Sequence, residues 1–153
     1  MSMNYGGTLL AVSDLAKAKD FYENVMEQKV VMDIFAHVTF EGGFSLQEDY
    51  AGLVGTDLVM KPQPNNFQLY FEVEDLQAWE EKLSAVEGIE FLHKSKEYPW
   101  GQKVMRIYDL DKYIVEVSES MESVVKRLLA EGVSPEETAK RTMFPLEFVQ
   151  QFI

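Results

Sequence analysis

The chain has 153 residues, 46% of them hydrophobic, which is enough for one apolar core or two small half-domains and excludes wholesale disorder. Its formal net charge of −12 argues against a nucleic acid or an anionic membrane as partner and favours a cationic small molecule, although a well-solvated acidic surface explains the charge more simply. There is no cysteine, no visible secretion signal and no run of about 18 apolar residues, so we expect a cytoplasmic protein without disulfides, thiolate zinc sites or membrane spans.

The first predicted module covers about residues 1–50. A strand-like run ends near Val12, and Asp14 stands where an aspartate caps the first turn of a helix, here predicted over 16–27. Gly42-Gly43 is typical of a hairpin turn. Further strands are predicted over 29–35, 36–40 and 44–47.

The same order of elements returns in a second module, at about residues 66–120. Val73 corresponds to Val12 at an offset of 73 − 12 = 61 residues, and Asp75 precedes a helix predicted over 77–87. Strands follow over 89–94, 103–108 and 113–117. Each half therefore reads β-α-β-β-β, which predicts an α+β fold.

The connection between the modules and the end of the chain differ from both. In the connection, 48–66, the apolar run Leu58-Val59-Met60 predicts that part of the segment is packed down. Residues 121–153 predict a separate helical extension of the domain at 1–120, with a capping box at Ser134. Four basic and five acidic side chains give this extension a charge of −1, so we expect it to pack on the modules or on a second subunit rather than bind DNA.

Two stretches resemble one superfamily of known proteins. Val12-Ser13-Asp14-Leu15 followed by Phe21-Tyr22, and Pro99-Trp100-Gly101 followed by the run 108–117, are similar to the vicinal-oxygen-chelate superfamily of glyoxalases, bleomycin-resistance proteins and extradiol dioxygenases. The resemblance covers about residues 5–118. It implies that the two modules form a cup-shaped mixed sheet around a small organic molecule, and it implies a homodimer.

Metalloenzymes of this superfamily carry four metal ligands on the inner face of the cup. The resemblance places these positions at Gly7, Gln47, Gln68 and Glu116, of which only Glu116 is the expected carboxylate. A glycine and two neutral amides make a weak set, because charge and basicity supply most of the affinity for a divalent metal. We therefore expect no cofactor, while a divalent metal held by Glu116, Gln68 and Gln47 remains the alternative.

The two histidines do not complete this set. The repeat aligns His37 with Met105, which predicts that it lies on the opposite strand face from Arg106. His93 is predicted to lie remote from the ligand positions. No nucleophile or general base is assigned, so the catalytic residues are left unknown.

Strand alternation predicts which side chains line the cup, since every second residue shares a face. Glu116 is explained equally well by ligand binding and by an ion pair with Arg106, and for Tyr70 and Tyr108 ordinary packing is slightly favoured over contact with a ligand. Trp100 lies in a loop, where it either stacks on a flat or cationic ligand or closes a dimer interface. The predicted ligand-binding residues are Gln47, Gln68, Tyr70, Glu72, Trp100, Arg106, Tyr108 and Glu116.

Three functions are compatible with these features. Because only one of the four expected metal-ligand positions has a carboxylate, the sequence favours a metal-independent protein that binds a small organic molecule in the cup. The first alternative is a metal-dependent lyase, isomerase or dioxygenase of the glyoxalase kind. The second is a regulatory module in which residues 121–153 dock a partner.

Overall fold

The computed structural model describes residues 1–153 and contains eight strands and six helices. The strands form two four-stranded mixed sheets. The chain divides into two compact units, residues 1–63 with 110–112, and residues 64–109 with 113–153. None of the six helices is long and apolar enough to span a membrane.

The first unit contains the first predicted module. Asp14 caps its first helix, because the Asp14 carboxylate accepts from the backbone N–H of Lys17 at 3.0 Å. This helix runs on into a π-helical turn, Phe21–Val25. The elements are β1 (Thr8–Val12), α1 (Leu15–Asp20), β2 (Val30–Ile34), β3 (His37–Phe40), β4 (Phe44–Glu48) and α2 (Tyr50–Val54).

The sheet of the first unit has the order β1-β4-β3-β2, with β1 and β4 parallel and the other pairs antiparallel. Leu46 and Val38 lie side by side on its buried face and are fully shielded from solvent. Phe40 and Phe44 stack with ring centroids 4.6 Å apart, and Tyr22 of the π-helical turn closes over both. The packed face carries the core, so the other face is free to carry polar groups.

The connection between the modules differs from the prediction. Leu58, Val59 and Met60 were expected to pack down, but they are 39%, 82% and 50% exposed. The segment forms instead the short helix α2, which Asp49 caps at Gly52. An apolar run of three residues predicts burial only where a strand or helix presents it to a core, and here none does.

The second unit repeats the arrangement and adds the C-terminal helices. Its sheet has the order β5-β8-β7-β6, again with only the first pair parallel. The predicted α+β fold of two βαβββ modules with a helical extension is therefore confirmed. The elements are β5 (Gln68–Val73), α3 (Leu76–Ser84), β6 (Glu90–Glu97), β7 (Lys103–Tyr108), β8 (Ile114–Glu119), α4 (Met121–Ala130), α5 (Pro135–Thr142) and α6 (Leu146–Gln150).

The C-terminal helices pack within the second unit. Helix α4 buries Val124, Val125 and Leu128 completely. Ser134 caps α5 by accepting from the backbone N–H of Glu137 at 3.2 Å, as its capping box predicts.

Candidate functional site

A row of four side chains crosses the sheet of the second unit. The strand registers place Tyr70 of β5 opposite Glu116 of β8, Glu116 opposite Arg106 of β7, and Arg106 opposite His93 of β6. Opposed residues on one face of a sheet have their Cβ atoms close enough for side chains to interact. The row therefore brings two charged groups, a histidine and a tyrosine to one face.

Arg106, Glu116 and Gln68 form a closed triangle of hydrogen bonds. Nη2 of Arg106 donates to Oε2 of Glu116 in a short contact, and Nε donates to Oε1 of Gln68 at 3.0 Å. Gln68 in turn donates from Nε2 to the same Glu116 oxygen at 2.8 Å. The other carboxylate oxygen accepts from the hydroxyl of Ser118 at 2.9 Å. Both Glu116 oxygens are thus occupied by partners from its own unit.

His93 belongs to this cluster, so its predicted remoteness is wrong. Nη1 of Arg106 lies 3.0 Å from Nε2 of His93. Because Arg106 is a donor only, His93 accepts at Nε2 and carries its proton on Nδ1, which donates to the carbonyl of Lys94 at 2.9 Å. The register of β6 shifts on both sides of His93, and such bulges change which face a side chain reaches.

Two aromatic rings flank the arginine. Tyr98 and Trp100 stack with centroids 4.8 Å apart, and we call this pair the aromatic ledge. The hydroxyl of Tyr98 accepts from Nη1 of Arg106 at 2.7 Å, and the guanidinium carbon lies 5.7 Å from the Tyr98 ring centroid. The indole N–H of Trp100 donates to Gln102 at 2.9 Å. At least four of the five N–H groups of Arg106 are therefore engaged by its own unit.

Tyr70 and Glu72 present exposed polar groups on this face. The Tyr70 hydroxyl donates to Oε1 of Glu72 at 2.6 Å, and Tyr70 is 49% exposed. Burial of the phenol, and then the hydrogen bond to Glu72, raise the pKa of Tyr70 to about 12, while the Gln102 side chain acts in the opposite direction. Glu72 forms no ion pair, so its charge is available to a ligand.

Tyr108 shares the face of Arg106 two residues further along β7, in the row of Gln68, and makes a contact of its own. Its hydroxyl donates to Oδ1 of Asn65 at 2.8 Å, and Tyr108 pairs with Ile114 rather than with Glu116 in the register. This contact gives Tyr108 an anchoring role at the entry to β5.

Gln47 of the first unit has its own partners. Its Oε1 accepts from Nδ1 of His37 at 3.0 Å, and its Nε2 donates to the carbonyl of Glu48 at 2.7 Å. The other ring nitrogen of His37 contacts the Thr39 hydroxyl at 3.0 Å. Each end of the Gln47 amide therefore has a partner within the first unit.

The predicted alignment of His37 with Met105 is wrong by one residue. His37 pairs with Gln47 as Arg106 pairs with Glu116, and both offsets are 69 (106 − 37 and 116 − 47). A shift of one residue moves a side chain to the other face of a strand. His37 is therefore the counterpart of Arg106 and lies on the polar face.

Gly7 is closed to any side chain. Its φ is +129°, and a Cβ built there would lie 2.5 Å from the carbonyl oxygen of Gly43. A histidine or glutamine at this position would collide with the backbone of the hairpin turn. The backbone conformation therefore excludes a ligand side chain at the first expected metal-ligand position.

The residues present do not fit a resident divalent metal. No three histidine, aspartate or glutamate side chains converge anywhere in the chain. The side-chain oxygens of Gln47, Gln68 and Glu116 accept hydrogen bonds from protein donors. In addition, the guanidinium of Arg106 neutralises the charge of Glu116. A metal would have to compete with the Arg106 guanidinium at Oε2 of Glu116 and with the Ser118 hydroxyl at Oε1.

A comparison with family models and known structures agrees with this fold. The model of the glyoxalase-like domain matches residues 5–122. A protein of unknown function from Agrobacterium tumefaciens str. C58 is similar at 28% identity with a TM-score of 0.70, over 78% of this chain and 96% of that one. A search of curated protein sequences finds no match.

Two more distant structures are similar in fold. A glyoxalase/bleomycin resistance protein/dioxygenase from Nocardioides aligns at 19% identity with a TM-score of 0.60, over 78% of this chain and 85% of that one. A mutant of the fosfomycin resistance protein FosX from Listeria monocytogenes, in complex with Mn(II) and 1S,2S-dihydroxypropylphosphonic acid, aligns at 19% identity with a TM-score of 0.57, over 83% of this chain and 98% of that one.

Proposed function

This chain belongs to the glyoxalase-like domain family, and from that premise we propose that it is a metal-independent protein that binds a small organic cation. The polar face of the second sheet, with the aromatic ledge and the exposed Tyr70–Glu72 pair, is the proposed binding surface. Small-molecule sites combine aromatic surface with a few convergent polar groups, and this face has both.

The observation that supports metal independence is the position of Arg106. Its guanidinium donates to Glu116 and to Gln68, which are two of the positions where the family pattern places metal ligands. The guanidinium of Arg106 belongs to the chain itself, and it supplies the positive charge that a metal ion would otherwise supply. The carboxylate is thereby compensated without any exchangeable ion.

The proposed preference for a cation follows from the charges that remain. Arg106 and Glu116 cancel each other, whereas Glu72 keeps its charge on an exposed side chain. The outer face of Trp100 offers a second attraction, since a positive charge is stabilised over an aromatic ring, whereas the Tyr98 ring already has Trp100, Lys96 and Arg106 against it. An organic amine or quaternary ammonium with a flat ring satisfies both contacts.

A thermal-shift screen with matched ligands tests this proposal. Each scaffold is offered as a cation, as its neutral isostere and as an anion, to protein stripped with a chelator. We expect the stabilising compounds to be cations that lose their effect on the Glu72→Gln variant. The expected loss is about tenfold in affinity, the size of one partly exposed charge interaction.

The matched control is Glu136→Gln, which removes the same charge from an exposed position of α5. This variant should bind every hit as the wild type does. If the anionic forms stabilise the protein better than the cationic forms, the cation assignment is contradicted. It is also contradicted if the hits respond equally to both substitutions. Hits that require added Mn(II), Ni(II) or Zn(II) contradict metal independence and favour the lyase, isomerase or dioxygenase alternative.

A homodimer in the cytoplasm is part of the proposal. It is supported by the family resemblance and by the absence of cysteine. Light scattering on the purified chain measures the assembly directly, and a mass of one chain contradicts the dimer.

A further inference from the structure

The C-terminal helices hold one end of the aromatic ledge. Arg127 of α4 donates from Nη2 to the carbonyl of Gly101 at 2.6 Å. The same guanidinium donates to both oxygens of Glu119, from Nε at 2.8 Å and from Nη2 at 3.0 Å. Arg127 therefore joins the loop that carries Trp100 to the end of β8, where Glu119 lies.

Glu119 continues this connection to the residues after Gly101. One of its carboxylate oxygens accepts from the backbone N–H of Lys103 at 2.8 Å, and its carbonyl accepts from the side-chain amide of Gln102 at 2.8 Å. Glu119 is 6% exposed, so these bonds are shielded from water. Three consecutive residues after Trp100 are thus held by Arg127 and Glu119 together.

The loop also lies in close packing against α4. Gly101 has a φ of +88°, and a Cβ there would lie 3.2 Å from Cδ1 of Leu128 and 3.4 Å from Cγ1 of Val124. On the other side of the ledge, Glu97 at the end of β6 pairs with Arg141 of α5 and lies 3.5 Å from Nη1 of Arg127. Helices α4 and α5 therefore contact both ends of segment 97–103, which carries the aromatic ledge.

From these contacts we propose that Arg127 is a positioning residue for the binding face, and that the C-terminal helices are a structural part of the site. The inference rests on the proposed function in one respect, that the aromatic ledge contacts the ligand. Arg127 and helix α5 lie beyond the residues 5–122 that the family model matches, so the family pattern alone does not assign them this role.

The electrostatics of Arg127 fit a fixed structural charge. Burial alone would lower its pKa, but the Glu119 carboxylate and then Glu131 raise the pKa above its ordinary value. A lysine at this position keeps the charge but has no planar fork, so one ammonium cannot donate to Gly101 and to both Glu119 oxygens in the same geometry. The bidentate contact is specific to arginine.

A change in the position of this loop also alters the contacts of Arg106. Tyr98 stacks on Trp100 and accepts from Nη1 of Arg106, so a displaced ledge removes one partner of that guanidinium. Gln102 holds the indole N–H of Trp100 in the same loop. Loss of Arg127 therefore disturbs the ledge first and the Arg106 cluster second.

The test uses the fluorescence of Trp100 and needs no ligand. The chain has two tryptophans, so a Trp79→Phe background leaves Trp100 as the only indole. In this background we compare Arg127→Met with Lys126→Met, which removes a cation from the next position of α4, where Lys126 pairs with Glu122 at an exposed site. Emission maxima and acrylamide quenching are measured on folded full-length protein.

We expect Arg127→Met to shift the Trp100 emission to the red and to raise its quenching constant about twofold, because a loop that opens locally exposes its side chains. Lys126→Met should leave both values at those of the parent, and Arg127→Lys should fall between. If Arg127→Met does not fold, Arg127→Gln replaces it, since the amide keeps one donor. A folded Arg127 variant with the emission and quenching of Lys126→Met overturns the proposal.

The result is independent of the ligand screen. A failed screen with a red-shifted Arg127→Met variant removes the proposed function and leaves only the positioning of the aromatic ledge by Arg127. A successful screen with unshifted fluorescence removes the positioning role alone.

Discussion

The guanidinium of Arg106 donates to the carboxylate of Glu116 across neighbouring strands of the second sheet, where Glu116 is only 7% exposed. Each residue is also held by Gln68, which donates to one and accepts from the other. Arg106 supplies this buried carboxylate with a counter-ion from within the chain, and the first and last predictions below rest on this relationship.

Removal of the arginine should cost more than removal of both charges. In Arg106→Met the Glu116 carboxylate remains buried without compensation, and we expect a loss of about 3 kcal/mol in the free energy of unfolding. The double variant Arg106→Met/Glu116→Gln should recover part of this loss, because burial of a neutral amide costs less free energy than burial of an unpaired carboxylate. Urea denaturation of the two single variants and the double variant measures the coupling.

Lys126→Met is the control for this cycle, since its ion pair with Glu122 is exposed at both ends and should contribute less than about 1 kcal/mol. A cycle with no coupling between positions 106 and 116, or Arg106→Met as stable as Lys126→Met, contradicts the role assigned to the pair.

Tyr70 gives a prediction for alkaline pH. Burial and the hydrogen bond to Glu72 raise the pKa of its phenol to about 12 in the folded protein, whereas the unfolded chain titrates at the ordinary value of about 10. The folded state therefore binds more protons between these values, and stability should fall as the pH rises from about 10 through 12. Below pH 10 this contribution is fully present.

Absorbance titration of tyrosinate measures this shift as the difference between wild type and Tyr70→Phe. The Glu72→Gln variant keeps the burial but loses the charge, so its Tyr70 should titrate at lower pH than in the wild type. An unchanged titration in Glu72→Gln shows that the contact with Glu72 does not affect the phenol.

Gly7 should not accept even the smallest side chain. In Gly7→Ala the Cβ meets the Gly43 carbonyl and the residue is held at a φ that favours glycine, so we expect a loss of about 2 kcal/mol in unfolding free energy. Gly6→Ala is the neighbouring control, because nothing lies within 4 Å of a Cβ there. It should change stability by less than about 0.5 kcal/mol. Equal effects of the two substitutions contradict the steric account of Gly7.

The repeat and the strand faces were predictable because they depend on local signals. Asp14 and Asp75 both cap helices after a strand, and both carboxylates accept from the helix as expected. Alternation along β5 placed Gln68, Tyr70 and Glu72 on one exposed face. The ion pair between Arg106 and Glu116, left open as an explanation of Glu116, is observed.

The remaining site residues depended on geometry that single-sequence patterns do not encode. His93 reaches Arg106 because β6 is bulged on both sides of it, and a bulge has no reliable local signature. His37 was misplaced because the hairpin pairing, rather than the spacing from the first strand, fixes its face. Tyr98 and Gln102 lie in the loop before β7, where no periodicity applies, and only the position of Trp100 between Pro99 and Gly101 marked this loop.

Calorimetric titration of chelator-stripped wild-type protein with Mn(II), Ni(II) and Zn(II), beside the Glu116→Gln variant, tests metal independence most directly. With Glu116 held by Arg106 and Gln68, the account predicts no metal-binding heat in the wild type that Glu116→Gln lacks. One equivalent of metal bound per wild-type chain, and lost in Glu116→Gln, would contradict it.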